Sequence, residues 1–150
     1  MSWEDYTIKW KCPKCQCLDK KRWLEGRKRD ILPCRFFHVI VTLPEELRPL
    51  ALRNQKVIYS ILFKAVFETL QELSKDSKHL GAEIGGIAIL HTWSQTLTDH
   101  LHIHCIVPGG GLSLDGKRWI SSKKSFFIPV KVLSRLFRGK FLDSLKKAYD

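Results

Sequence analysis

The sequence predicts an α+β domain, a central antiparallel sheet with flanking helices, preceded by a polar and basic arm. Three observations carry this. "RFFHVIVTL", residues 35–43, is rich in aromatic and β-branched residues and is closed by Pro44, the pattern of a buried strand. Ile58, Ile61, Leu62, Ala65, Thr69 and Leu73 recur at the 3.6-residue period of one helix face. "DHLHIHCIV", residues 99–107, alternates with period two, as a half-buried strand does.

Taken in order, residues 1–33 read as an arm dotted with Trp3, Trp10 and Trp23, with room for one short helix, and the compact core is expected over residues 34–150. After the first strand, Thr42 and Glu45 have the T-x-x-E spacing of a capping box, which announces a helix running to about His79. A kink is expected near Pro49, and Gly81 serves as the stop. "GGIAILHTWSQTL" and "DHLHIHCIV" predict an antiparallel strand pair, and "PGGG", residues 108–111, a turn. "LSLDGKRWI" and "SFFIPV" predict a hairpin around Asp115-Gly116. Leu133, Phe137, Phe141, Leu145 and Tyr149 step by four along a terminal helix. The order is β, α, β, β, hairpin, α, without an internal repeat.

With 26 Lys plus Arg against 15 Asp plus Glu, the chain of 150 residues carries a net charge of +11. Such an excess points to a polyanionic partner, DNA or RNA ahead of an anionic membrane surface. No apolar run approaches the roughly 20 residues that span a bilayer. The opening "MSWEDYTIKW" is neither a signal nor a transit peptide, so a cytoplasmic protein with no membrane partner is expected. Five cysteines, including Cys12 and Cys15 in Cys-Pro-Lys-Cys, suit metal chemistry in a reducing compartment better than a disulfide framework.

The alternating strand sends His100, His102 and His104 to one side and Leu101, Ile103 and Cys105 to the other. Neighbouring histidines stand about 7 Å apart at the backbone and the outer two about 13 Å, so two of them can share a metal ion. Neutral imidazole is a leading ligand for divalent first-row metals. Either His38 or His91 could approach the same face and supply a third ligand. The plain alternative is a row of ordinary half-exposed strand residues. A second alternative is the histidine-triad signature, which His-Leu-His-Ile-His-Cys-Ile fits literally and which belongs to nucleotide hydrolases and transferases. The apolar "GGIAIL" and a charge heavier than a mononucleotide needs argue against it.

"KCPKCQ", "FFHVIVTLPEELRPL", "LHTWSQTLTDHLHIHCIVPGGGLSLDG" and "VLSRLFRGKFLDSLKKAY" together resemble, in the right order, the middle of a transposase of the insertion-sequence ninety-one family. These are two-tyrosine, rolling-circle members of the HUH superfamily, which also contains replication proteins and relaxases. The resemblance implies an HUH, Rep-like fold of RRM-like topology. It makes His102-Ile103-His104 the HUH pair holding a divalent metal, Mg or Mn, with His100 and His38 as further candidate ligands. It implies metal-dependent nicking and strand transfer of single-stranded insertion-sequence ends in DNA transposition. Lys117, Arg118, Lys123, Lys124, Arg135, Arg138 and Lys140 become candidate DNA contacts, with Trp23 and Trp119 placed to stack on unpaired bases.

Two departures stand out. The family's nucleophile comes from a Tyr-x-x-x-Tyr pair on a later helix, whereas the tyrosines here are Tyr6, Tyr59 and Tyr149, none paired at that spacing. No catalytic residue is assigned, and a fragment truncated at both ends, without nicking activity, is expected. Cys12 and Cys15 resemble the last pair of the family's zinc module, but a structural zinc takes four ligands. Cys17 lies too close to complete the set and Cys34 offers at most a third, so a zinc remnant is expected.

Overall fold

The computed structural model describes residues 21–26, 28, 31–92, 101–123 and 128–149. The chain divides into two compact units, Met1–Pro33 and Cys34–Asp150. In the first, residues 21–26 form a helix, α1, on which Trp23 is exposed.

The second unit holds β1 (Phe36–Thr42), a 3-10 turn (Glu45–Leu47), α2 (Arg48–Arg53), α3 (Gln55–Lys75), β2 (Ala82–Glu83), β3 (Ile87–His91), β4 (His102–Pro108), β5 (Gly110–Ser113), β6 (Trp119–Ser121) and α4 (Val130–Tyr149). Among the described residues two three-stranded sheets result, ordered β1-β4-β3 and β2-β5-β6, with antiparallel pairing throughout. Alternation along β4 decides how the first sheet is covered. Ile103, Cys105 and Val107 are buried and join Val41 of β1 in a core with Ile58, Ile61, Leu62, Ala65 and Val66 of α3. Leu133, Phe137 and Phe141 of α4 complete that core, and α4 packs along α3. An antiparallel sheet tolerates water on its second face, and this one leaves that face open.

The helical period, the terminal helix and the Asp115-Gly116 hairpin are all present, and the first strand forms but is half-buried rather than buried, with Phe36, His38 and Ile40 on its exposed side. Gly116 takes a φ of +68° at the hairpin turn, where Ser113 and Asp115 are hydrogen-bonded through their side chains. That hydroxyl and the Lys117 amide, 3.2 Å away, hold the Asp115 carboxyl below its ordinary value. The returning strand is Trp119–Ser121 rather than "SFFIPV", of which residues 125–127 lie outside the described residues and Ile128 is a core side chain.

Other expectations are corrected. Thr42 caps nothing: it is still in the β1 ladder opposite His102, and the 3-10 turn begins after Pro44 with no side-chain cap. The helix breaks at Asn54, not Pro49. Proline sits in the first turn of α2, where its missing N–H is no loss, while Asn54 leaves the helical region and its amide donates to the Leu50 carbonyl at 3.1 Å. α3 stops at Lys75, short of His79, because the amides of His79, Leu80 and Gly81 all turn back to the Asp76 carbonyl. "PGGG" is no turn: Pro108 ends β4 and Gly110 already begins β5. These glycines serve close packing, since a Cβ on Gly111 would overlap the Glu83 carbonyl oxygen and one on Gly110 would lie 2.6 Å from that of Ile120. Among the described residues no helix is long and apolar enough to cross a membrane.

Candidate metal centre

The open face of the first sheet is assembled by register. Ile40 of β1 and Ile89 of β3 flank His104 of β4, and Thr42 and His91 flank His102. His38 pairs with Ile106 and so stands diagonal to His104, within the reach of a long side chain. One face thus collects four imidazoles from three strands. Phe36, Ile40, Ile87, Ile89 and Ile106 surround them, each more than a third exposed.

His104 is the hub. Its ring centroid lies 4.3 Å from that of His91, 4.8 Å from that of His102 and 4.8 Å from that of His38. One nitrogen from each of His91, His102 and His104 falls within 4.8 Å of the others, a set able to hold a metal ion. His38 makes a different contact, its Nε2 lying 2.6 Å from His104 Nδ1. Desolvation first, then the nearby imidazoles of His91, His102 and His38, hold the His104 pKa below its ordinary value. The ring is therefore kept neutral with a free lone pair, the form that ligates.

Of the residues named from sequence, His102 and His104 stand together as expected, and His91, there only an alternative to His38, completes the cluster. His91 lies directly opposite His102 in the ladder, a relation that no local pattern in the sequence reveals. His100, Cys12, Cys15 and Lys124 lie outside the described residues. Lys117, Arg118 and Lys123 are exposed in and after the β5–β6 hairpin, and Arg135 and Arg138 are exposed on α4. Lys140 is engaged with Glu72 at 2.8 Å, a hydrogen-bonded contact that raises its pKa. Tyr59 packs against the core from α3, and Tyr149 is half exposed at the end of α4, so neither belongs to the histidine face. Cys105 faces the core, where burial pushes its thiol up to about 11 and removes it from chemistry.

Comparison with known proteins bears on this arrangement. Residues 85–150 match the family described as "Putative transposase", and residues 9–43 match the "Transposase zinc-binding domain". Over 139 residues the chain is 52% identical to "Putative transposase y4qJ" of Sinorhizobium fredii, covering 93% of this chain and 35% of that relative. Over 105 residues it is 30% identical to the transposase for insertion sequence element IS801 of Pseudomonas savastanoi pv. phaseolicola, covering 70% of this chain and 25% of that relative. The chain thus spans 35% or less of the length of these relatives. Its fold is similar to the conjugative relaxase TrwC in a metal-bound complex with oriT DNA, at a TM-score of 0.56 and 16% identity, covering 74% of this chain and 43% of that one. The same relaxase with a 27-mer DNA carrying the recognition hairpin and cleavage site gives 0.55 and 19%, covering 74% and 44%. The fold is of the HUH type. In sequence from the zinc-binding segment to the terminal helix, the chain belongs to the transposases of the insertion-sequence ninety-one family.

Proposed function

We propose that this chain carries the metal-holding core of a transposase that nicks and transfers single-stranded insertion-sequence ends, with His91, His102 and His104 as ligands of one divalent ion. The observation that carries the reading is the approach of three ligand nitrogens, from two adjacent strands, on a face open to solvent. β4 is paired on both edges, so the two histidines it contributes sit on the most constrained backbone of the sheet. Of Mg and Mn, the nitrogen donors suit Mn better, because Mg prefers an all-oxygen shell. When bound, the ion would offset the charge that builds on the oxygens of a scissile phosphate. The rim of Phe36, Ile40, Ile87 and Ile89 offers apolar surface on which unpaired bases can lie. Lys117, Arg118, Lys123, Arg135 and Arg138 are the phosphate contacts we propose, and Cys12 and Cys15 a pair of zinc ligands within the matched zinc-binding segment. That the relaxases of similar fold were solved on oriT DNA, one of them with metal bound, supports a DNA substrate.

Manganese titration tests the site: His102→Ala/His104→Ala should lose the binding that the unaltered chain shows, and equal binding by both would sink the reading. If about five phosphates are neutralised, log affinity for single-stranded DNA should fall against log salt with a slope of roughly −3.5. A flat response would rule out phosphate contact. Neither Tyr59 nor Tyr149 lies on the histidine face and Tyr6 lies outside the described residues; with no tyrosine pair at the family's spacing, the 150-residue chain alone should give no covalent adduct on labelled single-stranded hairpins with Mn or Mg. An adduct that disappears in Tyr149→Phe would make Tyr149 the nucleophile.

A further inference from the structure

The contact between His38 and His104 assigns His38 a part that its presence on the histidine face leaves open. At metal–nitrogen bonds of about 2.0–2.2 Å, two ligands of one ion stand about 3 Å or more apart. His38 Nε2 and His104 Nδ1 are 2.6 Å apart, too close for both atoms to bind the same ion and right for a hydrogen bond. The rings are inclined by only 18°, with centroids 4.8 Å apart. Face-to-face stacking would bring the centroids closer. Two ring radii of about 1.1 Å added to the nitrogen–nitrogen gap account for the separation, so the rings meet edge to edge along the line of a hydrogen bond.

We infer that His38 is a positioning residue for the metal centre: it accepts the Nδ1–H of His104 and so presents His104 Nε2 to the ion. This rests on the metal-binding reading above. A neutral imidazole has one proton. If Nδ1 of His104 is held by His38, the lone pair that remains for an ion shared with His91 and His102 is the one on Nε2. The proton must then sit on Nδ1 and be donated to His38 Nε2, which fixes His38 with its own proton on Nδ1. Such an outer partner sets both the orientation of a ligand ring and its basicity. β1 and β4 are adjacent in the ladder, so the support comes from a rigid element, not from a loop.

The test uses the whole chain and two metals. Free Mn(II) is followed by electron paramagnetic resonance in the unaltered protein, His38→Ala, His38→Gln and His102→Ala/His104→Ala. Loss of the outer partner in His38→Ala should weaken affinity about 10- to 100-fold. His38→Gln, whose side-chain oxygen can accept the same hydrogen bond, should recover most of the loss. In the zinc-loaded, nitrogen-15-labelled protein, long-range proton–nitrogen spectra should show His104 metallated at Nε2 and protonated at Nδ1, with His38 carrying no metal. His38→Ala should lose that single tautomer while its far-ultraviolet spectrum is unchanged. Metallation of His38, or of His104 at Nδ1, would overturn the assignment, as would unchanged manganese affinity in His38→Ala. Failure of the unaltered protein to bind manganese at all would instead remove the metal-binding reading on which this one stands.

Discussion

The two faces of the β1-β4-β3 sheet are made by the same three strands and differ in every second residue. On one, Ile103, Cys105 and Val107 are sealed against α3 at 1% exposure or less. On the other, His102, His104 and Ile106 from the same strand stand beside His38 and His91 with solvent above them. The difference teaches how a small domain can carry a histidine cluster able to hold an ion without spending its core on it: the pleat separates packing from the open cluster by one residue. The covered face fixes the backbone, and the fixed backbone fixes the rings.

If the faces are independent in this way, Ile103→Ala should cost about 2–5 kcal/mol of stability, the range for emptying a fully buried aliphatic site. The double variant His102→Ala/His104→Ala should change metal-free stability by less than about 0.5 kcal/mol while losing the metal. Urea unfolding of both in a chelating buffer makes the comparison. A double histidine variant that loses as much stability as Ile103→Ala would show that the imidazoles are part of the fold's support, and the division between the faces would fall.

A smaller cost is expected away from both faces, in the second sheet. Gly111 lies in β5 between β2 and β6, and an added Cβ meets the Glu83 carbonyl, which is backbone and cannot swing aside. Gly111→Ala should destabilise by about 1–3 kcal/mol, the usual cost of overpacking, with manganese affinity retained. Loss of metal binding at preserved fold would reveal that the second sheet holds the first in register.

Much of this division could be read in the sequence, and the part that could not has a physical cause. The face assignment along β4 was legible because alternation is local: Ile103 and Cys105 go one way, His102 and His104 the other, whatever the strand pairs with. The helix face of Ile58, Ile61, Leu62, Ala65, Thr69 and Leu73 was legible for the same reason, and all six are buried. The partners of the histidines were not. His91 meets His102 through the β3–β4 register, and His38 meets His104 across 66 residues of chain through the β1–β4 register. Pairing of that kind is set by the whole fold, so the sequence could weigh His38 and His91 only as alternatives, and it carried His38 forward as the candidate ligand. They differ in contact: a ring nitrogen of His91 lies within 4.8 Å of those of His102 and His104, and His38 Nε2 lies 2.6 Å from Nδ1 of His104. "PGGG" misled because close backbone approach and a turn ask for the same residue.

Acid should act more weakly than core substitution, and between pH 7.5 and 5 it should be felt at His104 on the open face. The unfolded chain takes up a proton at His104 near the ordinary imidazole value of 6.5, and the folded one only at a lower pH. The unfolded state therefore binds that proton first, and the contribution present above pH 6.5 is lost as pH falls through the folded value. Metal should steepen the loss, since protons compete for the same lone pairs. Thermal midpoints between pH 7.5 and 5 should fall more in manganese than in chelator, and His104→Gln should flatten the metal-dependent part. An equal fall in both buffers would place the titration elsewhere.

The smallest effect expected is the one that most directly asks whether the histidine face is open. Ile89 pairs across the ladder with His104 and is 53% exposed, so it is neither core nor ligand. Ile89→Thr keeps the β-branched shape that suits a strand and removes apolar surface that already faces water. Its cost in dilute solution should therefore stay within about 0.5 kcal/mol, and manganese affinity should be unchanged, because the threonine hydroxyl adds no ligand to a set of three imidazoles. Urea unfolding at two protein concentrations tenfold apart checks this. A loss above about 1 kcal/mol that grows with concentration would mean that a second copy of the chain covers Ile89 in solution, since only association makes stability depend on protein concentration. In that case the faces of the sheet would differ in what covers them, the same chain for one and a partner for the other, and the site would open only on dissociation.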